Sequence, residues 1–284
     1  MMTVLVTGTS GLVGSHVIKH LAEKNCRIIA AVRASKIDEY KPLTDVEMVT
    51  NEAIFDGSLK GVDSVVNCAF SRSNKTEELT AAVNFTQNLI EGLLKSGVKN
   101  VINISSQGVY KRLPVGELST EDSPIEPIDL YSMTKYAVEK MFELSALSRV
   151  TNIRLASINM KQRFLYRFVQ SVKEESKIYL NSPQVYASLL DVEDAAEGLA
   201  LLALTDPAGW KPVYNLSTGL QHSLAQYAEM VKTVGERLGY RSEIVIDDNG
   251  IAGTAGSDSS LLRTDIGWKP AVTNEMMIEK MFFL

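Results

Sequence analysis

The feature that most constrains the fold is the N-terminal run TVLVTGTSGLVGSHV, an apolar strand followed by regularly spaced glycines. Gly8, Gly11 and Gly14 give a GxxGxxG spacing directly before a helical pattern. In such a turn the first glycine allows a sharp exit from the strand. The second lets the backbone approach a pyrophosphate, and the third lets the helix pack closely on the sheet. The chain is therefore expected to open with a dinucleotide-binding βα unit.

Short apolar strand patterns alternate with helical patterns along the chain. Strands are expected over residues 4–7, 28–32, 46–49, 64–68, 101–105 and 152–155. Helices are expected over residues 12–23, 76–95, 131–146, 164–174, 192–204 and 224–238. Strand–helix alternation at this spacing favours right-handed crossovers and a parallel sheet. We therefore predict an α/β fold with a Rossmann-type doubly wound parallel sheet.

The regular alternation ends near Leu155, after which strands are fewer and Gly and Pro are irregularly placed. We predict a dinucleotide-binding domain over residues 1–155, with returning segments near 188–218. Residues 156–187 and 219–284 are expected to form a smaller, mixed substrate-binding lobe. This lobe would close over the carboxyl edge of the sheet, where such folds bind ligands.

Composition excludes several classes of function. The net charge of −5 indicates no basic surface for nucleic acid. No leader and no apolar run long enough to cross a membrane are evident. Cys26 and Cys68 lie in apolar strand patterns, which favours a reduced, cytoplasmic protein. The three histidines show no metal-ligand spacing, so no metal site is predicted.

The second strand pattern bears on which dinucleotide binds. NAD-preferring sites place a carboxylate at the end of this strand to hold the ribose hydroxyls. Here the strand ends Ala31-Val32-Arg33, and Asp38 and Glu39 come too late in the loop to replace that acid. An arginine can pair with a 2′-phosphate instead. The sequence therefore favours NADP as the dinucleotide, and NAD remains possible. The residues of the glycine turn that are predicted to contact the dinucleotide are Gly8, Ser10, Gly11, Leu12, Val13 and Gly14.

The run YSMTK places Tyr131 and Lys135 on one helix face, while Ser106 follows a predicted strand. A neighbouring ammonium and an oxidised nicotinamide are both expected to lower the pKa of the Tyr131 phenol. Tyr131 could then exchange a proton with a substrate alcohol or carbonyl. The Ser106 hydroxyl could hold the substrate oxygen. Together these three residues indicate hydride transfer to or from a nicotinamide at a secondary alcohol or ketone.

These motifs resemble the extended short-chain dehydrogenase/reductase family, in its NAD(P)-dependent epimerase/dehydratase branch. TGTSGLVG is similar to TGxxGxxG, YSMTK to YxxxK, and SSQGVY to the segment that carries the catalytic Ser/Thr. The resemblance implies that Tyr131 is the acid/base, that Lys135 activates it and binds the nicotinamide ribose, and that Ser106 orients the substrate. It also implies a homodimer through the two long helices, and further cofactor contacts from Cys68, Ala69 and Ser105.

Two departures from the family pattern narrow the reaction. Gln107 and Gly108 stand where sugar 4,6-dehydratases carry Asp-Glu, so water loss is not expected. Ala187 stands where nucleotide-sugar members often carry a diphosphate-binding arginine. A diphosphate clamp is therefore missing or is rebuilt from Arg163 or Arg167.

Three functions follow from these expectations. The first is NAD(P)-dependent oxidoreductase or epimerase chemistry, with carbonyl reduction favoured, and the alternative within that chemistry is a nucleotide-sugar 4-epimerase. A non-catalytic NAD(P)-binding sensor or scaffold is a third possibility, although such proteins lose the Tyr or Lys. The substrate, a small carbonyl compound, an alcohol or a sugar nucleotide, is predicted to contact Ser106, Gln107, Tyr110 and Arg163.

Overall fold

The computed structural model describes residues 1–37, 46–159, 163–174 and 177–284. The strands in these ranges are β1 (Met2–Thr7), β2 (Cys26–Val32), β3 (Val46–Thr50), β4 (Ser64–Asn67), β5 (Asn100–Ser106), β6 (Arg149–Leu155), β7 (Ser157–Ile158), β8 (Lys177–Leu180), β9 (Tyr186–Ala187), β10 (Leu189–Leu190), β11 (Val213–Leu216), β12 (His222–Ser223) and β13 (Glu243–Ile246). The helices are α1 (Leu12–Ala22), α2 (Asn51–Phe55), α3 (Thr76–Ser96), α4 (Leu130–Glu143), α5 (Phe164–Lys173), α6 (Val192–Ala203), α7 (Leu224–Arg237), α8 (Ser260–Ile266) and α9 (Asn274–Phe282).

Within the described residues, seven parallel strands form the central sheet in the order β11-β6-β5-β4-β1-β2-β3. The predicted Rossmann-type parallel sheet is therefore confirmed. The strand order reverses between β1 and β4, and ligands bind at the carboxyl edge beside such a reversal. Thr7, Asn67 and Ser106 end three neighbouring strands at this edge.

Apolar side chains fill both faces of the sheet. On one face α1 and α6 pack over the strands, with Leu21 and Leu199 buried there. On the other face α3 and α4 pack, with Leu89 and Phe142 buried. The strands are apolar on both sides because helices cover both faces, as is typical of parallel sheets.

A third apolar cluster lies apart from these two, among α5, α7, α9 and β8. Short two-stranded sheets accompany it, pairing β7 with β10, β9 with β12, and β8 with β13. A substrate lobe needs a core of its own, so this cluster is compatible with the predicted division near residue 155. The division itself stays a prediction.

The predicted elements lie close to their observed bounds, but strands β8 and β13 and helices α8 and α9 were not predicted. All six predicted strands form, although β6 begins at Arg149, three residues before the predicted start. Helix α4 ends at Glu143, three residues before the predicted end. Helix α2 was not predicted because five residues are too short for a helical period to show. Asp38 and Glu39, which the sequence places too late in the loop to replace the missing acid, lie outside the described residues.

No helix in the described ranges combines the length and the apolarity needed to cross a bilayer.

Candidate active site

A cavity of about 510 Å³ opens at the carboxyl edge of the sheet. Its walls come from the glycine turn, the ends of β4 and β5, the start of α4, and a segment at residues 254–256. Most of the predicted site residues line it, namely Gly11, Leu12, Val13, Gly14, Cys68, Ser105, Ser106, Gln107, Tyr110, Tyr131, Lys135 and Arg163. The remaining predictions, Gly8, Ser10, Arg33 and Ala69, lie outside this lining.

The glycine turn is tight, and two of its glycines have no room for a side chain. Gly8 has φ of +66°, and its carbonyl accepts the Gly11 N–H at 2.9 Å. A Cβ at Gly14 would lie 2.4 Å from the Gly8 oxygen, and one at Gly8 would lie 2.7 Å from the Cys68 backbone. Side chains are therefore excluded at both places. No side chain caps α1, so its first N–H groups are available to phosphate oxygens.

Arg33 lies directly after β2 and is exposed to solvent. The Thr9 hydroxyl donates to the Ala31 carbonyl at 2.9 Å, which ties the glycine turn to the end of this strand. Arg33 therefore follows the strand end that the turn contacts. Its role towards a 2′-phosphate stays a prediction.

Tyr131 lies in the first turn of α4, whose N-terminus is capped by Asp129 through the Ser132 N–H at 2.7 Å. The Tyr131 ring meets Phe70 edge to face at 5.8 Å between ring centroids. The guanidinium carbon of Arg72 lies 5.9 Å from the Tyr131 ring centroid. These contacts place the phenol on the wall of the cavity.

Burial raises the pKa of Tyr131, while the Arg72 charge and the nearby Ser106 hydroxyl act in the opposite direction. The sequence argument predicted a lowered pKa, and that expectation is wrong for the protein without its cofactor. It counted charges and left out the desolvation of the phenolate. Tyr131 and Ser106 line the same cavity, so two of the three predicted catalytic groups lie on its wall together.

Lys135 is 3% exposed and lines the same cavity as Tyr131. Its Nζ donates to the Ile104 carbonyl at 2.7 Å and lies 3.8 Å from the Phe70 ring centroid. Burial lowers the pKa of Lys135 to about 7, against smaller upward effects from Cys68 and Glu139. The amine is therefore poised to change charge near neutral pH.

The low pKa of Lys135 predicts a pH-dependent stability for the cofactor-free protein. Between pH about 7 and 10.5 the amine is protonated in the unfolded chain and neutral in the folded one. Unfolding then takes up a proton, so the free energy of unfolding rises with pH across this window, by at most about 1.4 kcal/mol per pH unit. Lys135→Met should remove this rise in urea denaturation measured across the window. Lys140→Met, at a half-buried lysine of the same helix that is paired with Glu143, should keep it. An unchanged slope in Lys135→Met would contradict the assignment.

Arg154 forms a buried ion pair next to the site, with a partner that the sequence analysis did not identify. Arg154 Nη2 lies 2.9 Å from Glu139 Oε2, and the Ser105 hydroxyl donates to the same carboxylate. The Arg154 guanidinium also stacks on Tyr110, 4.7 Å from its ring centroid. The spacing of four residues from Lys135 to Glu139 was a signal that could have placed this carboxylate on the catalytic face of α4.

Sequence reasoning also missed Arg72 and Arg112, which line the cavity. Each follows the carboxyl end of a central strand, Arg72 after β4 and Arg112 after β5. Loops at this edge carry ligand contacts in doubly wound folds, and that position was the available signal. Residues 254–256 reach the cavity from the distant C-terminal part of the chain, and no local pattern marked them.

Comparison with known families agrees with the site that the geometry describes. The sequence model of the NAD dependent epimerase/dehydratase family matches residues 4–217. The chain belongs to this family of enzymes. The match covers the glycine turn, Ser106, Tyr131 and Lys135, and it confirms the resemblance drawn from the motifs.

Individual relatives of this family member are distant in sequence and close in fold. A putative UDP-glucose 4-epimerase of Methanocaldococcus jannaschii is 23% identical, over 95% of this chain and 93% of the relative. The structure of UDP-N-acetylglucosamine 4-epimerase from Bacillus cereus is 18% identical with a TM-score of 0.83, covering 100% and 99% of the two chains. UDP-glucose 4-epimerase of Thermus thermophilus, solved as a complex with NAD, is 20% identical with a TM-score of 0.79, covering 99% and 98%. At these identities the structures establish the fold alone.

Proposed function

We propose that this enzyme transfers hydride and a proton at a secondary alcohol of a nucleotide-linked sugar, with 4-epimerisation as the reaction. The observation that carries the chemistry is the placement of Ser106, Tyr131 and Lys135 on one cavity beside the glycine turn. The named relatives favour a nucleotide-sugar epimerase over the carbonyl reduction that the sequence alone favoured. Gln107 and Gly108 stand where a dehydratase needs carboxylates, which argues against water loss.

The charge of the cavity supports an anionic substrate. Arg72, Arg112 and Arg163 line it, and their guanidinium groups form no ion pair or hydrogen bond within the described residues. The lining carboxylates are Glu117 and Asp129, and Asp129 is engaged in capping α4. Unpaired arginines suit the phosphate oxygens of a nucleoside diphosphate, which they can bind bidentately. They offer a replacement for the arginine missing at Ala187.

Tyr131, Ser106 and Lys135 can each perform one part of this reaction. A bound nicotinamide dinucleotide would supply the hydride acceptor and donor. Tyr131 would take the proton of the sugar hydroxyl and return it to the keto oxygen. The first step requires the phenolate, which the Arg72 charge favours against the burial that raises the pKa of the phenol, and the proton taken up in that step is the one returned. Ser106 would hold the reacting oxygen beside the phenol, and the buried Lys135 would bind the nicotinamide ribose.

The reaction is tested by incubating the purified holoenzyme with UDP-galactose and following UDP-glucose by NMR. Epimerisation should produce UDP-glucose with no net change in dinucleotide absorbance, because the hydride returns to the same substrate. Oxidation or reduction matched to substrate consumption would instead show an oxidoreductase that exchanges its cofactor. Absence of any conversion would overturn the nucleotide-sugar proposal.

Arg33 supports NADP as the dinucleotide. Arg33→Asp should weaken NADPH binding by about tenfold or more, since a charge-assisted contact to the 2′-phosphate is replaced by repulsion. NADH binding should be unchanged or tighter, because a carboxylate can accept from the ribose hydroxyls. Arg27→Met, on the strand that Arg33 follows and ion-paired with Glu47, is the matched control. Equal effects of Arg33→Asp on both dinucleotides, measured by fluorescence titration, would contradict this assignment.

A further inference from the structure

We propose that Gln107 is a substrate-binding residue that donates a hydrogen bond from its side-chain amide to a sugar hydroxyl next to the reacting carbon. This inference rests on the proposed function and adds a determinant of specificity to it. Gln107 directly follows Ser106, at the end of β5, and both residues line the cavity.

The Gln107 side chain is fixed at one end and free at the other. It is 8% exposed, and its Oε1 accepts from the Ser257 hydroxyl at 3.5 Å. Its Nε2 has no hydrogen-bond partner among the described residues. Because Gln107 lines the cavity, a ligand bound there would be able to accept a hydrogen bond from Nε2.

Ser257 is itself held in place, so the orientation of the amide is set by the fold. Its side chain is fully buried, its carbonyl accepts from the Ser217 hydroxyl, and its backbone forms a parallel bridge with Ser119. Because Oε1 is anchored on this rigid segment, Nε2 is left as the group that can reach a ligand. The amide donor is thus preorganised before substrate binds.

The chemistry of the amide limits what Gln107 can do. A carboxamide is neutral and does not exchange a proton at ordinary pH, so it cannot act as a general acid or base. It can donate to a hydroxyl or carbonyl oxygen. Since Ser106 and Tyr131 together reach the reacting oxygen, the neighbouring Gln107 would reach the oxygen on an adjacent carbon. A substrate with a hydroxyl there would be bound more tightly than one without it.

The test compares Gln107→Glu and Gln107→Met with the wild-type holoenzyme. Glu keeps the size and the acceptor for Ser257 but loses the donor, and Met removes both polar atoms. Each should raise the KM for UDP-galactose by about 10-fold to 100-fold, while kcat changes far less. Binding of UDP alone and of NADPH should be unchanged, because neither contacts the amide. Ser257→Ala, which frees the amide to rotate, should raise the KM by a smaller factor.

The outcomes separate the two proposals. An unchanged KM in Gln107→Glu and Gln107→Met, with wild-type conversion intact, would overturn the role of Gln107 and leave the proposed function standing. Equal losses of affinity for UDP and for UDP-galactose would show a structural role only and would also overturn it. No conversion by the wild-type enzyme would overturn the proposed function, and the Gln107 assignment would fall with it.

Discussion

Replacing Tyr131 with Phe should lower kcat by about a thousandfold, within the range that a positioned acid/base contributes. The ring would keep its edge-to-face packing on Phe70, so only the hydroxyl on the cavity wall is lost. The Kd for NADPH should stay within about twofold of the wild-type value, since loss of one peripheral hydrogen bond is a small change. Steady-state turnover of UDP-galactose and fluorescence titration with NADPH measure the two quantities.

Tyr136→Phe is the matched control for this experiment. Tyr136 lies on the same helix and contacts Lys140 away from the cavity, so its replacement should leave turnover intact. Undiminished turnover in Tyr131→Phe would remove Tyr131 from the mechanism. A wild-type chain that binds dinucleotide but converts none of the sugars tested would favour the sensor or scaffold alternative.

Replacing Arg154 with Met should lower the free energy of unfolding by about 3–5 kcal/mol, the cost of breaking a buried ion pair on one side. Glu139 and Arg154 have side chains that are 2% and 6% exposed, so solvent cannot stabilise the carboxylate that remains. The Ser105 hydroxyl would be left as a neutral donor to Glu139. Urea denaturation monitored by circular dichroism measures this loss.

Two further variants distinguish the buried charge from lost packing. Glu139→Leu combined with Arg154→Met removes both charges and should recover most of the stability, because no unpaired ion remains. Lys177→Met breaks an exposed pair with Glu243 and should cost less than about 1 kcal/mol. A loss in Arg154→Met no larger than that of Lys177→Met would contradict the account of the buried pair.

The sequence predicted the parts of the molecule whose signals are local. The GxxGxxG turn, the strand and helix periods, and the YSMTK helix each lie within a short run of residues, and the structure places them as expected. The argument for a lowered Tyr131 pKa left out burial, which no short pattern encodes and which raises the pKa of the phenol in the cofactor-free protein.

Contacts between distant residues were beyond sequence reasoning. Gln107 and Ser257 are 150 positions apart, and Glu139 meets Arg154 only because α4 packs against the central strands. The two-residue strands β7, β9, β10 and β12 are too short to show alternation. Contacts between distant residues also build the substrate end of the cavity. The proposal of an anionic substrate therefore needed the structure, which brings Arg72, Arg112 and Arg163 together there.

A crystal structure of the enzyme with bound NADPH and UDP-galactose tests the central claim most directly. The account predicts that the Tyr131 hydroxyl and the Ser106 hydroxyl both lie within hydrogen-bond distance, about 3 Å, of the sugar 4-oxygen. The glycine turn should hold the pyrophosphate in the same complex. A sugar bound away from Tyr131, or a phenol turned out of the cavity towards solvent, would contradict the account.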